Sequence, residues 1–281
     1  MKKIFTITAI ALTAKFAFAG DVEAEFRNFR FGLKVTPSIN WYQPQGKIIS
    51  PNGVGLKFGG GLITEFRLTK VVSFQTGLQI DLDGANVKYN NGGLNNPSAN
   101  TINYYYNIAD DAIVKYDHTL AGSNLYTHYQ LNERKYNITY VTLPLTLKMK
   151  TKEIGDFVYY GQIGINNSFR WKASANDQLT VINDNTHTLE ATDSKSQVSV
   201  TKDVSFYTAS LNFGLGAEMN ISGTTAFTFG LNYKLGFTNV VKDGSDYIDR
   251  QVNDLNGIST QEKMPQQIHS SAVIITVGVL F

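Results

Sequence analysis

Eight times along this chain, bulky apolar side chains fall on every second position while small or polar ones fall between them. The ribbons are residues 31–42, 54–68, 71–83, 136–150, 156–171, 204–220, 226–237 and 269–281. The seventh is the cleanest. Phe227, Phe229, Leu231, Tyr233, Leu235 and Phe237 alternate with Ala226, Thr228, Gly230, Asn232, Lys234 and Gly236. Side chains of a strand point alternately to opposite faces, so each ribbon reads as a strand with one apolar face. Soluble strands average about 5–6 residues. These ribbons meet the roughly 9–11 residues that a tilted strand needs to cross a bilayer.

The connections alternate too. Ribbons two and three meet at "RLTKV", four and five at "KTKEIGD", and six and seven at "NISGT". The other four connections, residues 42–53, 84–133, 172–202 and 238–268, are longer. Hairpins joined this way carry all short turns at one end and all long loops at the other. Bacterial outer-membrane barrels have that asymmetry, with short periplasmic turns and long extracellular loops. Alternation alone does not say which face is outside, because a lipocalin-like soluble barrel turns its apolar face inward. Volume discriminates. Eight strands enclose an interior that side chains just fill. The apolar faces here are Phe, Leu, Ile, Tyr and Trp; the opposite ones are Gly, Ser, Thr, Asn and Gln with Lys34, Lys57, Glu65, Arg67, Glu218 and Lys234 of both signs. The small polar face fits the inside and the large apolar face fits lipid. In lipid every backbone polar group must be satisfied within the protein, so the sheet must close, last strand on first. Two aromatic girdles are expected: Trp41, Tyr42, Tyr136, Phe169, Trp171, Tyr207 and Phe237 at the long-loop end, and Phe66, Phe157, Phe227 and Phe281 at the short-turn end.

Residues 1–19 begin with Lys2 and Lys3, continue through an apolar run from Ile4 and end in Ala17-Phe18-Ala19. They read as a cleaved secretory signal peptide, which leaves 20–281 as one barrel domain. There is no cysteine, which excludes disulfides, zinc–thiolate sites and lipid attachment at cysteine. With 25 basic and 23 acidic residues the formal charge is +2, and nothing in that balance suggests nucleic-acid binding.

Chemistry is hard to find. Of the histidines, His118 and His128 lie in the longest connection, His187 in another, and His269 beside Ser270 and Ser271. A Ser-His-acid group at the rim would need nucleophile and base in hydrogen-bond reach, and no spacing shows that. Asp110, Asp111, Asp117 and His118, and likewise Asp243, Asp246 and Asp249, lack the alternate spacing of a calcium loop. No catalytic, cofactor-binding or metal-binding residue is assigned, and no cofactor is expected. Gly59, Gly60 and Gly61 fall within a strand, where they permit close packing or a bend. Tyr104, Tyr105 and Tyr106 sit in an Asn- and Gly-rich stretch. They are either an exposed recognition anchor or part of a hairpin packed on the rim.

The stretches "FGLKVTPSINW", "GGGLITEFRLTKVVSFQTGLQID", "YVTLPLTLKMK" and "GLGAEMNISGTTAFTFGLNYKLGFTNV" together resemble the PorT-like outer-membrane β-barrel family of Bacteroidetes-type bacteria, with "LPLTLK" the most telling. The closing run to Phe281 looks like the C-terminal signal by which barrel-assembly machinery recognises its clients. The resemblance implies an all-β, closed, antiparallel eight-stranded transmembrane barrel in the outer membrane, in contact with lipid. The founding member of the family serves protein secretion and gliding, although many relatives have no assigned task. The expected function is therefore non-enzymatic: a structural or accessory envelope component, linked to an envelope protein complex for secretion or gliding. The alternative is surface adhesion or recognition through the long loops, and a rim-located lipid- or peptide-modifying enzyme comes third.

Overall fold

A computed structural model describes residues 29–92, 100–115, 117–186, 188–222, 225–253 and 259–281. Residues 1–19, where the sequence leads one to expect a signal peptide, and His187 lie outside the described residues. All eight ribbons are strands, although three are interrupted. Ribbon one becomes β1 (Phe29–Val35) and β2 (Ser38–Pro44), parted at Pro37, which has no N–H to give a ladder. After β3 (Ile49–Pro51), ribbon two is β4 (Val54–Lys57) and β5 (Gly59–Arg67), and ribbon three is β6 (Val72–Thr76) and β7 (Gln79–Asp83). The long connection that follows carries β8 (Asn86–Tyr89), β9 (Asn100–Asn107) and β10 (Ala112–Val114), then a single 3-10 turn at His118–Leu120. Ribbons four and five are the long strands β11 (Tyr126–Lys150) and β12 (Phe157–Asn183). Next come β13 (Thr188–Ser199), β14 (Tyr207–Ser222), β15 (Thr225–Gly236), β16 (Gly244–Asn253), β17 (Ser259–Pro265) and β18 (Ile268–Leu280). One sheet of 18 strands results, where the alternation predicts eight ribbons.

The antiparallel pairings of the ribbons run in a circuit. β1 pairs β5, and β5 pairs β6 and β7. These two pair the lower half of β11, which pairs β12. β12 pairs β14, β14 pairs β15, and β15 pairs β18. β18 returns to both β1 and β2, with Lys34 opposite Gly278 and Val273 opposite Ile39. Every ribbon thus has a partner along both edges. The outward side chains of this circuit are apolar and exposed: Phe31, Leu33, Phe58, Leu78, Leu145, Ile165, Leu215 and Leu231 all stand clear of the protein.

β11 and β12, at 25 and 27 residues, are more than twice the length a bilayer requires. Their upper halves are the spine of a second structure. β8 and β9 add to β11, β13 adds to β12, β10 and β16 add to β9, and β17 adds to β16. This part is packed in the ordinary way, with Tyr104, Leu131, Tyr136, Leu179, Val200 and Met264 in one buried apolar cluster. The described parts of the long connections therefore form one body.

The change from one regime to the other is written along the strands. On β11, Leu143, Leu145, Leu147 and Met149 face out and are exposed, while Thr142, Thr146 and Lys148 face in and are buried. Higher up the same inward face holds Tyr140, Ile138 and Tyr136, all buried, and the outward face holds Thr139, Asn137 and Lys135. Polarity swaps faces between Tyr140 and Thr142. On β12 the swap is achieved by a bulge. Thr139 pairs Lys172 while Tyr140 pairs Arg170, so Trp171 is left without a direct partner. Below it the odd residues Ile163, Ile165 and Phe169 point out; above it Ala173, Ala175, Asp177 and Leu179 point in. One extra residue turns every following side chain to the other face.

Candidate functional site

Two sites are built by this arrangement, the polar lumen of the circuit and the body above it. At the short-turn end of the lumen, Glu65 and Glu218 face each other across the interior and are held by three cations. Arg30 donates to Glu65 at 2.9 Å and to Glu218 at 2.8 Å. Lys150 donates to both carboxylates, and Lys148 to Glu218 with Glu65 also in reach. Lys148 also lies over the Tyr160 ring, 3.7 Å from its centre. Arg30 precedes the first ribbon and Lys150 is the last residue of the fourth, so the pattern of the ribbons does not single them out. Glu65 and Glu218 are only 3% and 2% exposed, and a buried carboxylate needs partners of this kind. At the other end Asp83 accepts from Lys234 and from Ser270.

Between these layers lies a cavity of about 80 Å3, lined by Lys34, Gln79, Asn166, Asn212 and Thr276 among others. Its walls are close. Gly59 and Gly61 abut Asp81 and the backbone of Leu78 so tightly that a Cβ has no room, which answers what the glycine triplet is for. Gly216 and Gly230 make a floor over which the Tyr160 ring folds, its hydroxyl donating to the Phe229 carbonyl at 3.1 Å. At the top the cavity meets Tyr140 and Val240, which belong to the apolar cluster of the upper body. Tyr42 and Tyr136 pack beside them, ring centres 5.8 Å apart.

The girdle residues divide. Phe169, Trp171, Tyr207 and Phe237 are exposed at the long-loop end, joined by Phe206; Phe66, Phe157, Phe227 and Phe281 are exposed at the other, joined by Phe29. Tyr42 and Tyr136, expected in the upper girdle, are instead 1% and 0% exposed. They lie on the inward face, and above the polarity swap that face carries the apolar set. The same rule places Tyr104 and Tyr106 in the apolar cluster, whereas Tyr105, on the other face of β9, is buried against His128; none of the three is an exposed anchor.

In the upper body, Arg134 holds Asp177 through two parallel hydrogen bonds of 2.7 and 2.6 Å, and the Tyr104 hydroxyl donates to the same carboxylate. His128 meets Asp184 at 2.6 Å and stacks on Tyr105, ring centres 4.6 Å apart. An acid–imidazole pair is half of a rim triad. Ser270, the neighbour of His269 in the chain, points into the lumen onto Asp83, while His269 occupies the opposite face of β18. Among the described residues no group of His, Asp or Glu is arranged to hold a metal ion. Tyr106 donates to Asp111, and burial together with that bond pushes its phenol up to about 12. The Asp193 carboxyl is held below its ordinary value by the Tyr129 hydroxyl, while burial raises that of Asp203.

Strands with an outward apolar face, a polar interior and paired edges define the outer-membrane β-barrel class. The chain matches the family model described as outer membrane protein beta-barrel domain over residues 15–242, and it belongs to that family and resides in the outer membrane. Among solved structures, Neisserial surface protein A is similar at 9% identity and a TM-score of 0.37, covering 90% of this chain and 96% of that one. OprG from Pseudomonas aeruginosa is similar at 11% identity and a TM-score of 0.38, with 90% and 95% covered. No curated protein matches.

Proposed function

We propose that the circuit of pairings is a closed eight-stranded transmembrane barrel, with the short turns in the periplasm and the upper body outside the cell. We propose further that the protein is a non-enzymatic surface-recognition protein. One observation carries this reading: the described parts of the long connections form a single body with its own apolar core, and its outward faces, such as Glu133, Lys135, Gln178 and Ser194, are polar. A fixed polar surface suits binding better than a floppy loop does, because less ordering entropy is lost on contact. The lumen supports the absence of a permanent pore, being crossed by charged pairs below and tyrosine rings above.

A second reading is favoured by the stretch "LPLTLK". A PorT-like accessory of a secretion or gliding complex would meet envelope partners from the periplasmic side, where Lys70 and Glu153 stand on the short turns. The strand ending at Phe281 serves both readings as the contact for assembly machinery. Photo-cross-linkers at Glu133 and Lys135, and separately at Lys70 and Glu153, test the two in intact membranes. Recognition gives adducts with an added extracellular macromolecule from the first pair. An accessory role gives adducts with envelope proteins from the second.

A further inference from the structure

The lumen contains a lysine with no direct partner. Lys34 lies on the inward face of β1, because Leu33 and Val35 on the other face are 58% and 56% exposed. It is nevertheless not fully buried, and the open space on its side of the sheet is the 80 Å3 cavity. The ammonium enters none of the ion pairs of the lumen, which use Lys148, Lys150, Lys234 and Arg30. Asp81 and Lys148 line the same cavity. The same cavity is lined by six further polar groups whose oxygens are buried without a hydrogen-bond partner: Thr36, Asn40, Gln79, Tyr140, Asn166 and Asn212.

A buried polar atom left unpaired costs about 1–3 kcal/mol, so several on one wall are not tolerated in a stable protein. Resting on the closed-barrel reading, we infer that this chamber is a built water site: a cluster of about five to eight ordered waters, at roughly 10–15 Å3 each, which bridges Lys34 to Asp81 and satisfies the six oxygens. The chemistry selects water over an ion. A cation would sit among Lys34, Lys148 and Lys234. An anion would face Asp81 and Asp83, and four of the six unpaired atoms are amide oxygens, which accept and do not donate. Water does both. The cluster makes the charged layer around Glu65 and Glu218 continuous with the layer around Asp83, so the lumen is wet in the middle and shut at both ends.

The test is a high-resolution crystal structure of the full chain, grown with bromide in place of chloride. The inference expects five to eight peaks without anomalous signal, within hydrogen-bond reach of Lys34, Asp81 and most of the six oxygens. A dry chamber with Lys34 paired directly, a detergent tail inside it, or an anomalous bromide peak overturns it. A sheet that is open, or closed with Phe227 and Leu231 inside, is a different outcome and refutes the barrel itself. Thermal unfolding of Lys34→Met, Asp81→Asn and the double variant gives a second readout. Bridging through water expects each single change to lower the unfolding temperature and the double change to lower it by less than the two together. Additive losses overturn the bridge.

Discussion

Replacing Ile165 by arginine and, separately, Gln178 by arginine puts the same charge at two places on one strand. Ile165 is 43% exposed and lies midway along the outward apolar run of β12, between Phe157 and Trp171. Gln178 is also exposed and outward, opposite Glu133 and Ser194. A rise of about 3.4 Å per residue with a tilt near 40° gives about 2.6 Å of depth per residue. Gln178 then stands some 30 Å from Ile165, well beyond the roughly 12 Å half-height of the apolar band. An arginine at the bilayer midplane costs about 2–4 kcal/mol, which lowers the folded-to-unfolded ratio roughly 30- to 700-fold. An arginine at Gln178 meets water and Glu133, and its cost is within about 0.5 kcal/mol of zero. Reversible urea unfolding in lipid vesicles reads both. If Ile165→Arg is no worse than Gln178→Arg, the outward face of β12 does not contact hydrocarbon and the reasoning fails.

Glu218→Gln removes one of two carboxylates from a buried group of cations and is expected to cost about 3–5 kcal/mol, since it leaves charge uncompensated; an unchanged urea midpoint would refute the role given to that cluster. Trp171→Ala is expected to cost under about 1 kcal/mol because the ring is 74% exposed, whereas deleting Trp171 turns one half of β12 to the wrong face and abolishes recovery of folded protein from vesicles. In alkali the folded state holds the Tyr106 proton more tightly than the unfolded chain does. Its contribution to stability is therefore complete below pH ~10, the ordinary phenol value, and is lost as pH rises towards about 12. Tyr106→Phe should flatten that part of the stability profile, and a profile identical to that of the unaltered protein would contradict the assignment.

What was readable in the sequence follows from where one physical rule holds. Within the ribbons, period two plus one apolar face is enough, and Leu143, Leu145 and Leu147 stand where that pattern puts them. The pattern also reads as far as Tyr140, where the alternation of β11 passes through a change of phase: Tyr136, Ile138 and Tyr140 carry on the face that Thr142 and Thr146 occupy lower down. The ribbon read from the sequence runs past that phase change to Tyr136 and stops there, so the start of the strand, Tyr126 to Lys135, is hidden beside the long connection. Trp171 hides the same event on β12, because a bulge breaks the register without any glycine or proline to mark it. The lumen charges were half legible. Glu65, Glu218 and Lys234 alternate with apolar neighbours, but Arg30 and Lys150 sit at ribbon ends, and only pairing across the barrel brings them together. The pairing of His128 with Asp184 joins residues from two different connections, and no spacing in the chain announces it.

Because the chain has no cysteine, single nitroxide labels can be placed at will along β15. Collision with oxygen and with a water-soluble nickel chelate, measured in lipid vesicles at Phe227, Thr228, Phe229, Leu231 and Asn232, reports directly which face meets hydrocarbon. The account expects Phe227, Phe229 and Leu231 to be open to oxygen and closed to nickel, with Thr228 and Asn232 shielded from both. Nickel access at Phe229 or Leu231, or oxygen access highest at Thr228 and Asn232, would contradict it.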